Sequence, residues 1–277
     1  MPGRMKKIIF LSLIVALMVG SCNKKKTVET TILGMWTDYF LMPNTLKGKV
    51  KEMKELNYWA VDKDGKTTKG KLMTKKDLDS IGSTPNLIAY FDDKGTLIKY
   101  DNLDGENLIQ SFIGTIENGK CVRWDNKVRD SSTYYAIPEY DNLGYLVGAK
   151  VYKPSVDTLL NKYIFSHDIK GNITRFEYFN YKNQKTGYHV CSLDEKGNYI
   201  EAKYFNKADS LRNIMTNTYD NNGNVIKQQT FVEKTKSTTI WDYKDFKLDD
   251  HGNVIGYFTD IENGKYKVFV ERSFIYY

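Results

Sequence analysis

His167-Asp168-Ile169-Lys170-Gly171-Asn172-Ile173-Thr174-Arg175-Phe176-Glu177-Tyr178 is the stretch that decides the fold. An Asp at the first position of a tight turn accepts hydrogen bonds from the backbone N–H groups that follow it. A Gly three residues later takes the left-handed conformation that ends the turn as a bulge. The short β-prone run behind the Gly is then a returning strand. The same spacing occurs at Asp62 and Gly65, Asp92 and Gly95, Asp141 and Gly144, Asp194 and Gly197, Asp220 and Gly223, and Asp249 and Gly252. Seven copies make a repeat, and a repeat is read before any single element.

The glycines recur every 26 to 30 residues except for one gap of 49, where Glu117-Asn118-Gly119-Lys120 stands as a degenerate member. Two strands and two turns fit such a unit. Asp79-Ser80, Asp130-Ser131, Asp157-Thr158 and Asp209-Ser210 lie between the glycine turns and read as connections at the opposite end. Counting from the Gly in the six units that begin at Gly95, positions three, five and seven hold no charged residue, whereas eight of the twelve residues at positions four and six are charged. Alternation with period two marks a strand with one packed and one wet face. A one-residue slip would bury the charged row, so register is strongly specified. The expected fold is all-β: repeated antiparallel hairpins forming an extended, twisted or rolled meander sheet, with no long helix.

The N-terminus reads differently. Arg4, Lys6 and Lys7 precede an apolar run from Ile8 to Val19, and Gly20 and Ser21 are small residues at a cleavage position. This is a secretory signal, too short for a spanning helix. Val19-Gly20-Ser21-Cys22 resembles the lipobox of bacterial lipoproteins. The resemblance implies removal of residues 1–21, acylation of Cys22, and an address in the bacterial cell envelope, lipid-anchored at the outer membrane. The residues after Cys22 carry no acidic surface-export signal, which favours the periplasmic side. Residues 22–45 are then the lipidated N-terminus, tether and lead-in, with Trp36, Tyr39 and Phe40 near the first hairpin; residues 46–277 form the repeat domain.

Removing Arg4, Lys6 and Lys7 from 41 Lys and Arg against 34 Asp and Glu leaves a net charge of only +4. That excludes the clustered basic face of a nucleic-acid binder. Tyr140-Asp141-Asn142-Leu143-Gly144 and Tyr219-Asp220-Asn221-Asn222-Gly223 resemble the YD repeats of Rhs-type proteins. That likeness implies extended β-sheet; an encapsulating toxin shell is not implied.

No catalytic constellation is legible. His167 and His189 sit in strand flanks and His251 in a turn, and no Ser or Cys lies in a nucleophile motif. The acidic turns lack the later carboxylate and flanking helices of a calcium loop, so their Asp residues are turn formers, and no metal or cofactor is expected. Cys121 and Cys191 read as buried free thiols on strands. The 21 Tyr residues fit cross-strand pairing first and a glycan or protein surface second. The function read from this is a non-enzymatic envelope protein. Its sheet binds or scaffolds an unknown protein or glycan partner, and it contacts the membrane through acyl chains on Cys22. A carbohydrate-binding accessory and an envelope hydrolase are the alternatives.

Overall fold

A computed structural model describes residues 46–277 apart from Asp130 and Asn263, together with a short pairing of Ala16–Leu17 with Thr30–Thr31. Cys22, the aromatic residues of the lead-in and all of the signal except Ala16–Leu17 lie outside the described residues. The strands of the domain are β1 (Val50–Lys63), β2 (Lys66–Leu72), β3 (Asn86–Phe91), β4 (Leu97–Asp104), β5 (Asn107–Glu117), β6 (Lys120–Val128), β7 (Ser131–Tyr140), β8 (Leu146–Lys153) and β9 (Thr158–His167). They continue as β10 (Ile173–Asn180), β11 (Lys185–Leu193), β12 (Tyr199–Asn206), β13 (Leu211–Tyr219), β14 (Val225–Val232), β15 (Ser237–Leu248), β16 (Val254–Ile261) and β17 (Tyr266–Tyr276). One short helix, α1 (Lys75–Ile81), separates β2 from β3.

The all-β class holds, but the open meander does not: the sheet closes into an antiparallel barrel of sixteen strands. Apart from β2 and β3, which both pair with β1, each strand pairs with its neighbours in sequence, and the last returns to the first, from Val268 opposite Trp59 to Tyr276 opposite Val50. The near half of β1 pairs with β3 and its far half with β2, so β2 stands above β3 beside the ring. Closure removes the two edges that an open sheet would expose to other chains. At the seam, Glu55 and Arg272 are register partners whose side chains meet at 2.6 Å, both almost wholly buried. A one-residue slip would leave both charges buried without a partner, a costly state that holds the register.

Six of the seven Asp-x-x-Gly turns share one geometry. In the turn at Asp220, the backbone N–H of Asp220 donates to the Asn224 carbonyl and that of Gly223 donates to the Asp220 carbonyl. The Asp220 carboxylate accepts from the N–H groups of Asn222 and Asn224 and from the Asn224 amide at 2.8–2.9 Å. Gly223 takes φ +85°. Gly171 is required for a second reason: a Cβ there would sit 2.4 Å from the ring of Tyr145 in the adjacent turn.

The seventh copy differs. Asp64 and Gly65 both have positive φ and form a two-residue hairpin, while Asp62 lies in β1 opposite Thr67. Glu117-Asn118-Gly119-Lys120 is also a two-residue hairpin. Asp209 does lie in an opposite-end turn and Asp157 in another, but Asp79-Ser80 lies inside α1. Asp130 falls outside the described residues. The helix comes from a local signal, with Thr74 and Asp77 as a reciprocal capping box and Gly82 as a left-handed stop.

The facing rule needs one correction. In all six units the residue at position three skips the ladder as a bulge: Ile98, Val147, Thr174, Ile200, Ile226 and Ile255. Position two packs inward in its place, as Leu97, Leu146, Ile173, Tyr199, Val225 and Val254, all buried. Positions five and seven face inward and positions four and six outward, as the alternation predicts. The outward charges pair with one another, as in Lys150–Glu139, Arg175–Glu177 and Lys203–Glu201. Such exposed pairs contribute little to stability, about 0–1 kcal/mol each, but they keep the outer wall wet.

Candidate functional site

The barrel's two ends differ, and the difference defines the site. At the end made by the six turns, here the base, the buried position-two residues form an apolar floor. At the other end, the rim, the inward residues are more accessible. Leu108 and Val128 are exposed there, and Asn161, Asn180, Asn213 and Thr230 keep partial access. A ring of about eight strands is filled by its own side chains, and one of sixteen is wider.

Over one side of the rim, α1 contributes Leu78 and Ile81 to a cluster with Tyr243, Ile261, Val268, Trp59 and Trp241. Asn86 ties this insert down. Its carbonyl accepts from the backbone and amide of Asn57, and its amide donates to the carbonyls of Met73 and Gly105. α1 thus shares its cluster with strands β1, β15, β16 and β17.

Tyr163, Tyr178, His189 and Tyr204 face inward on four consecutive strands, β9 to β12. The Tyr178 hydroxyl and the His189 Nδ1 share a hydrogen bond of 2.8 Å, with rings edge to face. Tyr204 stacks on the other face of His189 at 4.7 Å, and Tyr163 meets Tyr178 edge to face at 5.6 Å. Burial holds the His189 imidazole down at about 2, so it is neutral at ordinary pH. Burial also pushes the Tyr178 phenol well up, although Tyr178 retains partial solvent access. Tyr178 and Tyr204 face inward and keep partial solvent access, so solvent reaches an aromatic recess inside the barrel, while Tyr163 and His189 beside them are buried.

The sequence marks Tyr178 and Tyr204 as position-seven residues of adjacent units, but gives no sign that His189 lies between their rings. Glu55 and Arg272 leave no trace in the local pattern either. The Arg272 guanidinium lies 5.5 Å over the Tyr257 ring, and the nearby Tyr243 hydroxyl is buried without a partner.

The other sequence candidates are dispersed. His251 is exposed and stacks on Tyr276. His167 stacks on Tyr145 beside the turns, and burial lowers its pKa. Cys121 and Cys191 are buried free thiols, both pushed up to about 12 by burial. Among the described residues no group of three or more His, Cys, Asp or Glu could hold a metal ion. The turn carboxylates are occupied by their own backbone; Asp168 and Asp194 are held below the usual carboxylate range by hydrogen bonds from their turns, and Asp249 by the Tyr276 hydroxyl as well as by its turn, each against the opposing effect of burial.

No family model matches the chain, and no curated protein does. Among solved structures, a porin-like protein from Bacteroides uniformis superposes with a TM-score of 0.50 at 10% identity, covering 83% of this chain and 98% of that one. A porin-like protein from Bacteroides vulgatus gives 0.39 at 13% identity, over 82% and 98%. The Tc holotoxin pore of Photorhabdus luminescens gives 0.34 at 14% identity, over 63% of this chain and 12% of that one. Only the first reaches a level that speaks for a shared fold. The expected kinship with YD-repeat, Rhs-type proteins is therefore corrected: the repeated turns close a barrel, no family model supports the kinship, and the fold match is to a porin-like protein.

The charge layout of this barrel is the reverse of a membrane-spanning one. Spanning barrels turn apolar rows to lipid, whereas here the apolar rows face inward and the ion-paired rows outward. Among the described residues no helix is long and apolar enough to cross a membrane.

Proposed function

We propose that this chain is a lipid-anchored protein of the bacterial cell envelope, tethered through acyl chains on Cys22, that receives a partner or ligand at the rim of its barrel. The observation that carries the reading is the contrast between a packed apolar floor and the partly accessible aromatic side chains Tyr178 and Tyr204 toward the opposite end. The signal and lipobox resemblance support the address, and the names of the porin-like proteins are compatible with it. The reading is non-enzymatic. It is supported by the separation of the three histidines and by the uncharged state of the buried thiols.

Photo-crosslinkers placed at Val128 on the rim and at Ile137 on the outer wall test the binding site in intact envelopes. The rim should capture a defined species; capture by the outer wall alone would sink the proposal. Palmitate labelling that is lost in Cys22→Ala is expected for the anchor.

A carbohydrate is the second reading, favoured by the neutral row of Tyr178, His189 and Tyr204. Aromatic faces and uncharged donors suit sugar rings. Glycan-array binding that disappears in Tyr204→Ala would support it, and a blank array with folded protein would count against it. An envelope hydrolase is the weakest reading, since His189 has a phenol rather than a nucleophile as its hydrogen-bond partner.

A further inference from the structure

The mild charge of the whole chain conceals a division between the two ends. The six Asp-x-x-Gly turns of the base, at residues 92–96, 141–145, 168–172, 194–198, 220–224 and 249–253, hold nine Asp and Glu against three Lys. Four consecutive rim turns with their flanking residues, 153–158, 180–185, 206–212 and 232–237, hold seven Lys and Arg against three acids. Each of those acids is engaged: Asp157 accepts from the Tyr135 hydroxyl at 2.7 Å, Asp209 is hydrogen-bonded to Tyr188, and Glu233 pairs with Lys236. Of the seven cations, only Lys185 and Lys236 join an ion pair among the described residues. Lys153, Lys182, Lys207, Arg212 and Lys234 are all exposed.

Successive rim turns stand two strand spacings apart, about 10 Å, so the four cover an arc of about 30 Å. Aromatic groups lie directly inside this arc. Tyr178 and Tyr204 stand two residues before Asn180 and Asn206, which open the second and third of these turns, and both keep partial solvent access. Asn213 is the register partner of Tyr204, and Arg212 beside it lies close enough for its charge to act on the Tyr204 phenol. The lip is cationic, and the wall just behind it is aromatic.

We propose that this arc of the rim binds an acidic polysaccharide, a chain of sugar rings bearing carboxylates or sulfates, with ring faces against Tyr178 and Tyr204 and anionic groups on Lys182, Lys207, Arg212 and Lys234. The inference rests on the rim-binding reading above and names the chemistry of what is bound there. Opposite charge draws such a chain to the rim and away from the acidic base. A bilayer or a folded acidic protein meets the lip as a broad surface, whereas a thin chain touches the lip and the aromatic wall behind it together. Aromatic faces suit sugar rings, which an acidic peptide lacks. The envelope address proposed above sets nucleic acid aside.

The test titrates the mature chain, with a purification tag in place of residues 1–22, against labelled polygalacturonate and, in a second arm, dextran sulfate. At least one should bind, more weakly as salt rises, and neutral dextran should not; binding of one alone identifies carboxylate or sulfate as the group recognised. The double variant Lys182→Glu with Lys207→Glu should weaken binding at least about tenfold. The matching pair at the base, Lys170→Glu with Lys196→Glu, should leave it unchanged. Tyr204→Ala should weaken it about fivefold without altering its salt dependence, and Tyr204→Phe, which keeps the ring, should retain it. No binding to either polymer by folded protein, equal losses from the rim and base pairs, or full binding by Tyr204→Ala overturns the proposal. So does tighter binding of polyglutamate, which makes the occupant an acidic peptide, or of phosphatidylglycerol vesicles, which makes it a bilayer. If both polymers fail while the crosslinker at Val128 still captures a species in envelopes, the rim-binding reading stands and only the polysaccharide falls.

Discussion

The base and the rim fold the same turn from different residues. At the base, Asp opens the turn and Gly ends it. At the rim, Asn180 and Asn206 open it, accepting from the N–H groups two and four residues on, while Asn183 and Asp209 take the positive φ. A neutral amide accepts more weakly than a carboxylate, and a non-Gly residue at positive φ adds strain. The base turns are also backed by a buried apolar floor, and the rim turns are not. Tight turns over a packed layer make an end that stays shut. Weaker turns over accessible side chains make one that can receive something.

The strongest way to break this contrast is at the seam that both ends share. Arg272→Ala strands the Glu55 carboxylate in the interior and should cost about 3–5 kcal/mol in denaturant unfolding. Replacing both partners with apolar residues of similar volume should recover most of that loss; a double variant as unstable as the single one would show that the pair does more than hold register.

Acid should act on the recess before the base. The His189 pKa falls from the ordinary value near 6.5 to about 2 on folding. The unfolded chain therefore binds this proton first, and the stability held above pH about 6.5 is lost as pH falls toward 2, at about 1.4 kcal/mol per pH unit. His189→Gln should flatten that slope in melts between about pH 6 and 4; an unchanged slope would place the acid sensitivity elsewhere.

Asp220→Ala removes three hydrogen bonds to a charged acceptor and should cost about 1–3 kcal/mol. Asn206→Ala at the rim should cost less, about 1 kcal/mol, and equal losses would erase the contrast between the two turns. Thr74→Ala uncaps α1 and should cost about 1 kcal/mol, with hydrogen exchange rising at the rim and not at the base. Lys203→Ala, on the outer wall, should stay within about 0.5 kcal/mol of the parent.

What could be read from the sequence follows the range of the interactions. The base turns were legible because Asp220, Gly223 and Asn224 act within five residues. The charged outer row was legible because alternation is local. The bulge at position three was not, since Val147 and Ile226 look as apolar as the residues that pack. α1 hid because its capping box sits in a charged run with only Leu78 and Ile81 to mark a buried side. Closure was illegible for a stronger reason: Glu55 and Arg272 are 217 residues apart, and neither is unusual where it stands. The recess needed closure before it could exist, so Tyr178 and Tyr204 read as ordinary strand residues.

The seam also orders events in time. Nearly every other strand pair joins sequence neighbours and can form as a hairpin while the rest of the chain is still loose, with little loop entropy to overcome. The β1–β17 pairing cannot begin until the final strand is available. Until then both flanks of the growing sheet present unpaired backbone, the state most prone to joining another chain. A truncation that removes β17 should therefore leave fourteen sound hairpin junctions and a protein that aggregates, a failure of assembly order rather than of any single contact.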